Sequence, residues 1–217
     1  MLPGNILVAV CADGAGSAEH SGRGAARAVE TVIATAEAGL AGGPPTDEAG
    51  WTALIGDCFA AARASVLQLA ESESLPARAF ACTLLYALAA DHWVAAGQVG
   101  DGIVIAAEQS LYTALTQPQH GEFANETFFI TMDDVQPQVN IVSNHIEALA
   151  LTTDGLTRLA LEKGNQPHAP FFKPLFDFAA QAGDEAAQQL TGFLNSERVC
   201  DRTDDDKTLV LAVRAAQ

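Results

Sequence analysis

The apolar positions of the chain follow two different periods. A short apolar run at residues 6–12, rich in valine and isoleucine, ends at Asp13-Gly14 and predicts a buried strand. Two stretches at residues 21–40 and 47–72 then repeat apolar residues every three or four positions, which predicts a pair of long helices. A cluster of glycine and proline separates them, because neither residue continues a helix well.

After Pro76 the apolar runs shorten to the length of strands. The pattern predicts strands at residues 79–89, 93–99, 103–107, 111–115, 127–131, 138–143, 146–152 and 208–214, with helices at 155–162, 174–181 and 184–196. Consecutive strands joined by short turns pair antiparallel. The predicted fold class is therefore α+β, not a doubly wound parallel sheet. No linker or repeat divides the sequence, so one domain over residues 1–217 is expected.

Composition and charge narrow the function. The apolar fraction of 49% excludes a disordered chain, and 27 acidic against 11 basic residues give a net charge of −16. Such a charge repels nucleic acid and anionic membrane surfaces, so neither is an expected partner. Part of the acidic excess could instead be neutralised by bound cations.

The spacing of the cysteines and the N-terminal residues indicate the cellular compartment of the protein. The four cysteines (Cys11, Cys58, Cys82 and Cys200) form no CxxC pair, which argues against zinc. They are typical of small buried side chains in a reducing compartment. The first residues contain neither a basic start nor an apolar span of membrane length. We therefore expect a cytoplasmic protein.

Three aspartates mark the candidate chemistry, because each lies at or beside the end of an apolar strand. They are Asp13 in DGAGS, Asp154 in TTDGL and Asp205 in DDDKT. Strand ends of a rigid sheet can bring carboxylates to one point, and hard oxygen ligands are what Mg²⁺ or Mn²⁺ requires. The glycine after Asp13 would let the backbone turn and expose its own carbonyl as a further ligand.

Each signature has an ordinary alternative explanation. Asp13-Gly14 could be a simple turn, and Asp154 could cap the helix that follows it. The acidic run at residues 204–206 could be a solvated loop. Three like charges directly before a buried strand would nevertheless repel one another, so a cation is a plausible partner there.

The order of the signatures resembles a known family. DGxGS near the start, Val99-Gly100-Asp101 in the middle, TTDGL late and DDxT before the last strand are similar to the PPM family. These are metal-dependent protein serine/threonine phosphatases of the 2C type, and this chain resembles a small bacterial member. The GEFANET stretch at residues 121–127 is similar to the flap region of such members.

The resemblance implies a fold and a site. Family members have two packed antiparallel sheets flanked by helix pairs, with two Mg²⁺ or Mn²⁺ ions between the sheets at one edge. By motif matching, Asp13 would bridge both ions, the Gly14 carbonyl would bind one, and Asp154 and Asp205 would hold the other. Asp101 would belong to a third, weaker metal site. A metal-activated water would hydrolyse phosphoserine or phosphothreonine in a protein substrate, opposite a cognate serine/threonine kinase.

The chain departs from the family pattern at three places. The twelve residues before Asp13 contain no Arg, Asp or Glu, where the family has a phosphate-binding arginine and acidic residues. Either the chain lacks the family's first N-terminal strand or the site is incomplete. Ala15 stands where many members have a histidine that could act as general acid, and Gly102 stands where a serine is frequent.

Three functional hypotheses follow from these observations. The first is an active metal-dependent protein phosphatase. The second is a catalytically weakened pseudophosphatase that acts as a binding or regulatory module, which the three departures would explain. The third is a metal-dependent hydrolase of another phosphoester, such as a nucleotide, which the acidic surface disfavours.

Overall fold

Two four-stranded antiparallel sheets lie between helices in the computed structural model, which describes residues 6–119, 127–181 and 183–214. The strands are β1 Leu7–Cys11, β2 Leu84–Ala90, β3 Trp93–Val99, β4 Ile103–Glu108, β5 Leu111–Ala114, β6 Gln138–Ser143, β7 Ala148–Thr152, β8 Leu161–Glu162, β9 Gln166–Pro167 and β10 Leu209–Val213. The helices are α1 Ser21–Leu40, α2 Glu48–Ser72, α3 Thr157–Ala160, α4 Ala169–Ala180, α5 Ala186–Leu194 and α6 Glu197–Cys200. Short 3-10 helices span Ala77–Phe80 and Asp154–Leu156.

The strand order separates the two large sheets. One sheet has the order β1-β2-β3-β6, the other has the order β10-β7-β4-β5, and β8 pairs with β9 as a small separate ribbon. Every paired neighbour is antiparallel. β3 and β4 are consecutive in the chain but belong to different sheets, so residues 100–102 cross from one sheet to the other.

Apolar side chains form three layers, which confirms the predicted arrangement of helices, sheet, sheet and helices. The first layer lies between the α1–α2 pair and the first sheet and includes the fully buried Trp51 and Ile55. The second lies between the two sheets and includes Leu85 and Val104. The third lies between the second sheet and α3–α4, with Phe172 at its centre. The strands β2 to β4 are almost wholly buried because they have a layer on each face.

The two long helices confirm the apolar periodicity. α1 spans the predicted residues 21–40, and α2 begins one residue after Asp47, whose Oδ1 accepts a hydrogen bond of 2.8 Å from the Gly50 amide. By length and composition α2 is the one described helix that could cross a membrane. Its buried residues, among them Trp51 and Ile55, belong to the core layer against the first sheet, as is usual for a core helix.

Some predicted boundaries are wrong. The strand predicted at residues 79–89 starts only at Leu84, because Ala77–Phe80 forms a 3-10 helix. The strand predicted at residues 127–131 is not formed: the Met132 amide bonds to the Phe129 carbonyl in a turn, and one bond joins Ile130 to Cys82. Of the three apolar residues that produced the strand-like pattern, Ile130 is fully buried whereas Phe128 is exposed, so the run supplies one core side chain without forming a strand.

The C-terminal third also differs in detail. The helical stretch predicted at residues 155–162 divides into the 3-10 helix at residues 154–156, the short α3 and then β8. α4 starts at Ala169, earlier than predicted, since a proline in the first turn costs a helix no hydrogen bond. The segment at residues 120–126, which carries nearly all of the GEFANET stretch, lies outside the described residues.

Candidate metal centre

The strand registers bring the acidic signatures of the second sheet to one end. Thr152 at the end of β7 lies opposite both Ile103 of β4 and Leu209 of β10. Asp154 follows Thr152 by two residues, while Asp101 and Asp205 precede their strands by two and four residues. Because the neighbouring strands are antiparallel, all three aspartates come to the same edge of this sheet.

The first sheet places its signature at the same end. Cys11 of β1 pairs with Leu85, and Leu84 pairs with Val99, the last residue of β3. Asp13 follows β1 by two residues and the turn at residues 100–102 follows β3. Since this turn runs directly into β4 of the other sheet, it joins the two groups of aspartates.

Hydrogen bonds to the segment before β2 fix the backbone of Asp13. Its amide donates to Thr83 Oγ1 at 2.9 Å, and the Thr83 amide donates to the Asp13 carbonyl oxygen at 2.8 Å. Two residues on, the Ala15 amide donates to the Ala81 carbonyl oxygen at 2.9 Å. A Cβ on Gly14 would come 2.8 Å from the Ser21 Cβ, so only glycine lets this loop pass so near the start of α1.

Asp154 lies against the loop that carries Asp205. The Thr153 amide donates to the Thr208 carbonyl oxygen at 3.2 Å, and the Thr208 amide donates back to Thr153 Oγ1 at 3.1 Å. A Cβ on Gly155 would lie only 2.1 Å from the Asp206 backbone oxygen. The glycine after Asp154 therefore permits close contact between two chain segments about fifty residues apart.

The alternative that Asp154 caps a helix is not supported. The cap position of α3 is Leu156, which makes no side-chain hydrogen bond to the helix. Asp154 Oδ1 is buried, and among the described residues it has no hydrogen-bond partner. A buried carboxylate oxygen without a partner is costly, so another ligand for it is expected.

The crossing turn that holds Asp101 is organised by one buried glutamine. Gln98 Nε2 donates to the carbonyl oxygens of Gly100, Gly102 and Gln117 at 2.9, 2.8 and 3.0 Å. Gly100 has a φ of +112°, a conformation that other residues rarely adopt. Asp101 itself accepts a hydrogen bond from the hydroxyl of Thr127.

Asp205 is the most exposed of the predicted ligands. Its Oδ1 accepts a hydrogen bond from the Asp206 amide at 2.9 Å, and its backbone carbonyl oxygen accepts one from Lys207 Nζ at 3.2 Å. The Thr203 hydroxyl accepts the Asp205 amide at 3.2 Å. The loop is thus held locally, while its carboxylates remain accessible.

The aspartates repel one another. Burial, and then the charges of Asp101, Asp205 and Asp13, raise the pKa of Asp154 to about 7. Burial is also the first cause of the raised pKa of Asp13, followed by the charges of Asp205, Asp206 and Asp101. A divalent cation would remove this repulsion, and its field would return both carboxylates to the charged form.

The neighbouring cysteines do not share this chemistry. Burial and the charge of Asp13 raise the pKa of Cys11 and of Cys82 to about 12. Both thiols are therefore neutral, and they pack as small apolar side chains. The prediction that Cys11 is a packing residue is consistent with its place between the two sheets.

The residues fit a hydrated divalent cation. Within the described residues, no three side chains of His, Cys, Asp or Glu stand close enough together to enclose one ion by themselves. The carboxylates instead lie within electrostatic range of each other, and one carries an unpaired buried oxygen. Mg²⁺ and Mn²⁺ usually keep several waters, so carboxylates spaced by water suit them better than a closed protein cage.

The sequence pattern did not reveal the residues that support this centre. Thr83 and Gln98 are buried polar side chains inside strand-like apolar runs. A polar residue within an apolar run could have indicated this supporting role, because a buried polar group needs hydrogen-bond partners and often organises a turn. Their partners could not be read from the sequence, since the bonds from Thr83 reach a residue 70 positions away.

Comparison with known proteins shows the family. The family model described as Protein phosphatase 2C matches residues 1–195. The chain belongs to the protein phosphatase 2C family, and it is therefore an enzyme that acts as a protein phosphatase. The chain is 37% identical over 219 residues to serine/threonine-protein phosphatase 3 of Escherichia coli K12, a match covering 97% of this chain and 85% of the relative.

Solved structures share the fold at lower identity. A bacterial serine phosphatase has a TM-score of 0.71 at 16% identity, over 98% of this chain and 88% of its own. The serine/threonine phosphatase Stp1 from Staphylococcus aureus has a TM-score of 0.69 at 15% identity, and the match covers 98% of this chain and 85% of Stp1. The catalytic domain of the phosphatase PstP, solved with two manganese ions, has a TM-score of 0.62 at 16% identity, and the match covers 95% of this chain and 85% of the PstP domain.

Proposed function

We propose that the aspartate-lined end of the sandwich is the active site of a metal-dependent serine/threonine phosphatase. Family membership makes the chain a metal-dependent protein phosphatase, and the matched Escherichia coli relative is a serine/threonine-protein phosphatase. The residue assignment is the proposal. The observation that carries it is the buried, unpaired Oδ1 of Asp154 at the edge where three other signature aspartates meet.

The proposed ligands are Asp13, the Gly14 carbonyl, Asp154 and Asp205, with Asp101 at a third, weaker position. The catalytic set is Asp13, Asp154 and Asp205. Two Mn²⁺ or Mg²⁺ ions are proposed because the related PstP domain was solved with two manganese ions. When bound, such ions activate a water for attack and offset the charge of the phosphoryl group.

The chain's own residues would position this chemistry. Thr83 holds the Asp13 backbone, and Thr153 joins β7 to the start of β10 beside Asp205. Gln98 fixes the turn of Asp101. These hydrogen bonds hold the segments that carry the carboxylates in fixed positions relative to the strands. The carboxylates are therefore already in place before a substrate binds, as a preorganised site requires.

The substrate is a phosphoprotein, and we propose that a serine/threonine kinase produces it. The net charge of −16 supports the absence of a nucleic-acid partner. Among the described residues the four cysteines are free, and three of them are buried, which supports a reducing, cytoplasmic setting without a membrane partner. A single phosphatase domain over residues 1–217 also remains a prediction.

Metal-dependent turnover tests the assignment. With p-nitrophenyl phosphate and a phosphothreonine peptide, we expect hydrolysis that needs Mn²⁺ or Mg²⁺ and stops in EDTA. Asp154→Asn should lower kcat/KM by about a hundredfold or more, as expected when one electrostatic element of a site is lost. Asp184→Asn is the matched control, because Asp184 is exposed and belongs to none of the acidic signatures.

Two results would contradict the proposal. Hydrolysis that is unchanged by EDTA would exclude metal chemistry. Metal binding measured by calorimetry without any turnover would favour the pseudophosphatase alternative, which neither the family match nor the relatives favour.

A further inference from the structure

A second concave site lies between α4, α5 and α6, in the helical layer that covers the second sheet. Its cavity of about 390 Å³ is walled by the aromatic rings of Phe171, Phe178 and Phe193 together with Leu190. None of the signature aspartates lines it. A concave apolar site of this volume is in the range that holds a small organic ligand.

Two arginines give this apolar cleft a positive end. Arg198 and Arg202 both line it and lie four residues apart, on α6 and just beyond its end. Within the described part of the chain, neither guanidinium has a carboxylate within 4 Å. Two unpaired arginines together are unusual in a protein with 27 acidic and 11 basic residues.

The remaining polar groups of the cleft add little negative charge. His168 lines it and bonds through Nδ1 to Glu162 Oε1 at 2.6 Å, so this carboxylate already has a partner. Gln189 is the other polar side chain in the wall, and it is neutral. The cleft thus combines aromatic walls with a cationic end.

We propose that this cleft binds a small amphipathic carboxylate, with an acyl or aryl body among the phenylalanines and its carboxylate on Arg198 and Arg202. A guanidinium pairs with a carboxylate through two parallel hydrogen bonds, and a neighbouring second arginine adds charge. The apolar body supplies the burial energy. A neutral ligand would leave the arginines unused, and a fully polar anion would leave the aromatic walls uncovered.

None of the proposed metal ligands lines the cleft, and Arg202 is the lining residue nearest to them in sequence, three residues before Asp205. Phe172 and Phe176 on α4 are buried in the core layer against the second sheet. Phe171 and Phe178 of the same helix line the cleft, and Phe171 also packs against that core layer. Ligand binding to the cleft can therefore be measured both in Mn²⁺ and in EDTA, and the comparison shows whether the two sites are independent.

Fluorescence of 8-anilinonaphthalene-1-sulfonate, an amphipathic anion, tests the proposal on the full chain. We expect saturable binding of one probe per chain, displacement by decanoate and no displacement by decanol at the same concentration. The double variant Arg198→Gln with Arg202→Gln should weaken both probe and decanoate binding at least tenfold. Arg27→Gln, at an exposed arginine on α1, is the matched control and should bind as the wild type does.

Specific outcomes would overturn the proposal. Equal displacement by decanol would show that the cleft has no preference for an anion. Unchanged decanoate binding in the double variant would place the bound anion elsewhere. Because both arginines are exposed, the double variant should keep the wild-type thermal midpoint, and this midpoint is the measurement that shows it is folded.

Discussion

Asp13 and Thr83 hold each other through paired hydrogen bonds across 70 residues of sequence: the Asp13 amide donates to the Thr83 hydroxyl, and the Thr83 amide donates to the Asp13 carbonyl oxygen. The backbone of this candidate metal ligand is therefore held by the segment that precedes β2, far away in the sequence. Thr83 is 4% exposed, so water cannot replace its hydroxyl.

Replacing Thr83 tests this dependence. Thr83→Val keeps the shape but leaves the Asp13 amide without an acceptor, which should lower the free energy of unfolding by about 1–3 kcal/mol. It should also weaken Mn²⁺ activation, measured as the metal concentration for half-maximal turnover. Thr83→Ser should restore activation. Thr52→Val, at an exposed threonine of α2, is the control. Normal metal activation in Thr83→Val would show that Asp13 needs no such support.

Gly155 should tolerate no side chain. In Gly155→Ala the new Cβ would lie 2.1 Å from the Asp206 carbonyl oxygen, so the loop bearing Asp205 must move. We expect a loss of about 1–3 kcal/mol in the free energy of unfolding and weaker metal binding by calorimetry. Gly56→Ala is the control: nothing lies near its Cβ, so alanine within α2 should stabilise the protein by about 0.4–1 kcal/mol.

Gln98 should be required for the crossing turn. Gln98→Leu removes one amide group that serves three carbonyl oxygens in the interior. The expected loss in the free energy of unfolding is about 3 kcal/mol, measured by denaturant titration, since all three carbonyls lose the Gln98 donor and the buried Thr116 hydroxyl loses its acceptor, although the Gly100 carbonyl keeps the Gln119 amide. Gln188→Leu, on the exposed side of α5, should change it little. A small effect in Gln98→Leu would mean that water enters the turn.

The metal-free protein should lose stability as pH rises. The pKa of Asp154 is about 7 in the folded state against 3.8 for a free aspartate, so between these values the folded state binds more protons than the unfolded state. The free energy of unfolding must then fall with rising pH in this window. The pKa of Asp13 is also raised, so this residue likewise makes the free energy of unfolding fall as pH rises. Thermal midpoints in EDTA from pH 4 to 8 should show the decline.

The same measurement separates stability from function. Asp154→Asn removes the titrating group, so its thermal midpoint in EDTA should depend less on pH, and near pH 8 it should exceed that of the wild type. Mn²⁺ should raise the wild-type midpoint more at pH 8 than at pH 5, because protons compete with the metal. An identical pH profile for both proteins would show that Asp154 is not the group responsible.

Local periodicity alone determined much of the fold. The bounds of α1 and β3 were predicted to the residue, because an apolar stripe at helical spacing and an apolar run between turns depend only on neighbouring residues. The order of the acidic signatures likewise indicated the family, since strand ends marked by Asp-Gly can be recognised without any long-range contact.

Tertiary structure alone decided how these pieces combine. The register that aligns Thr152 with both Ile103 and Leu209, and the buried network of Gln98, join residues far apart in sequence. The strand predicted at residues 127–131 was wrong because Ile130 enters the core from a turn. Sequence specified which residues could bind a cation, whereas strand pairing decided that they meet at one edge, because pairing depends on packing of the whole sheet.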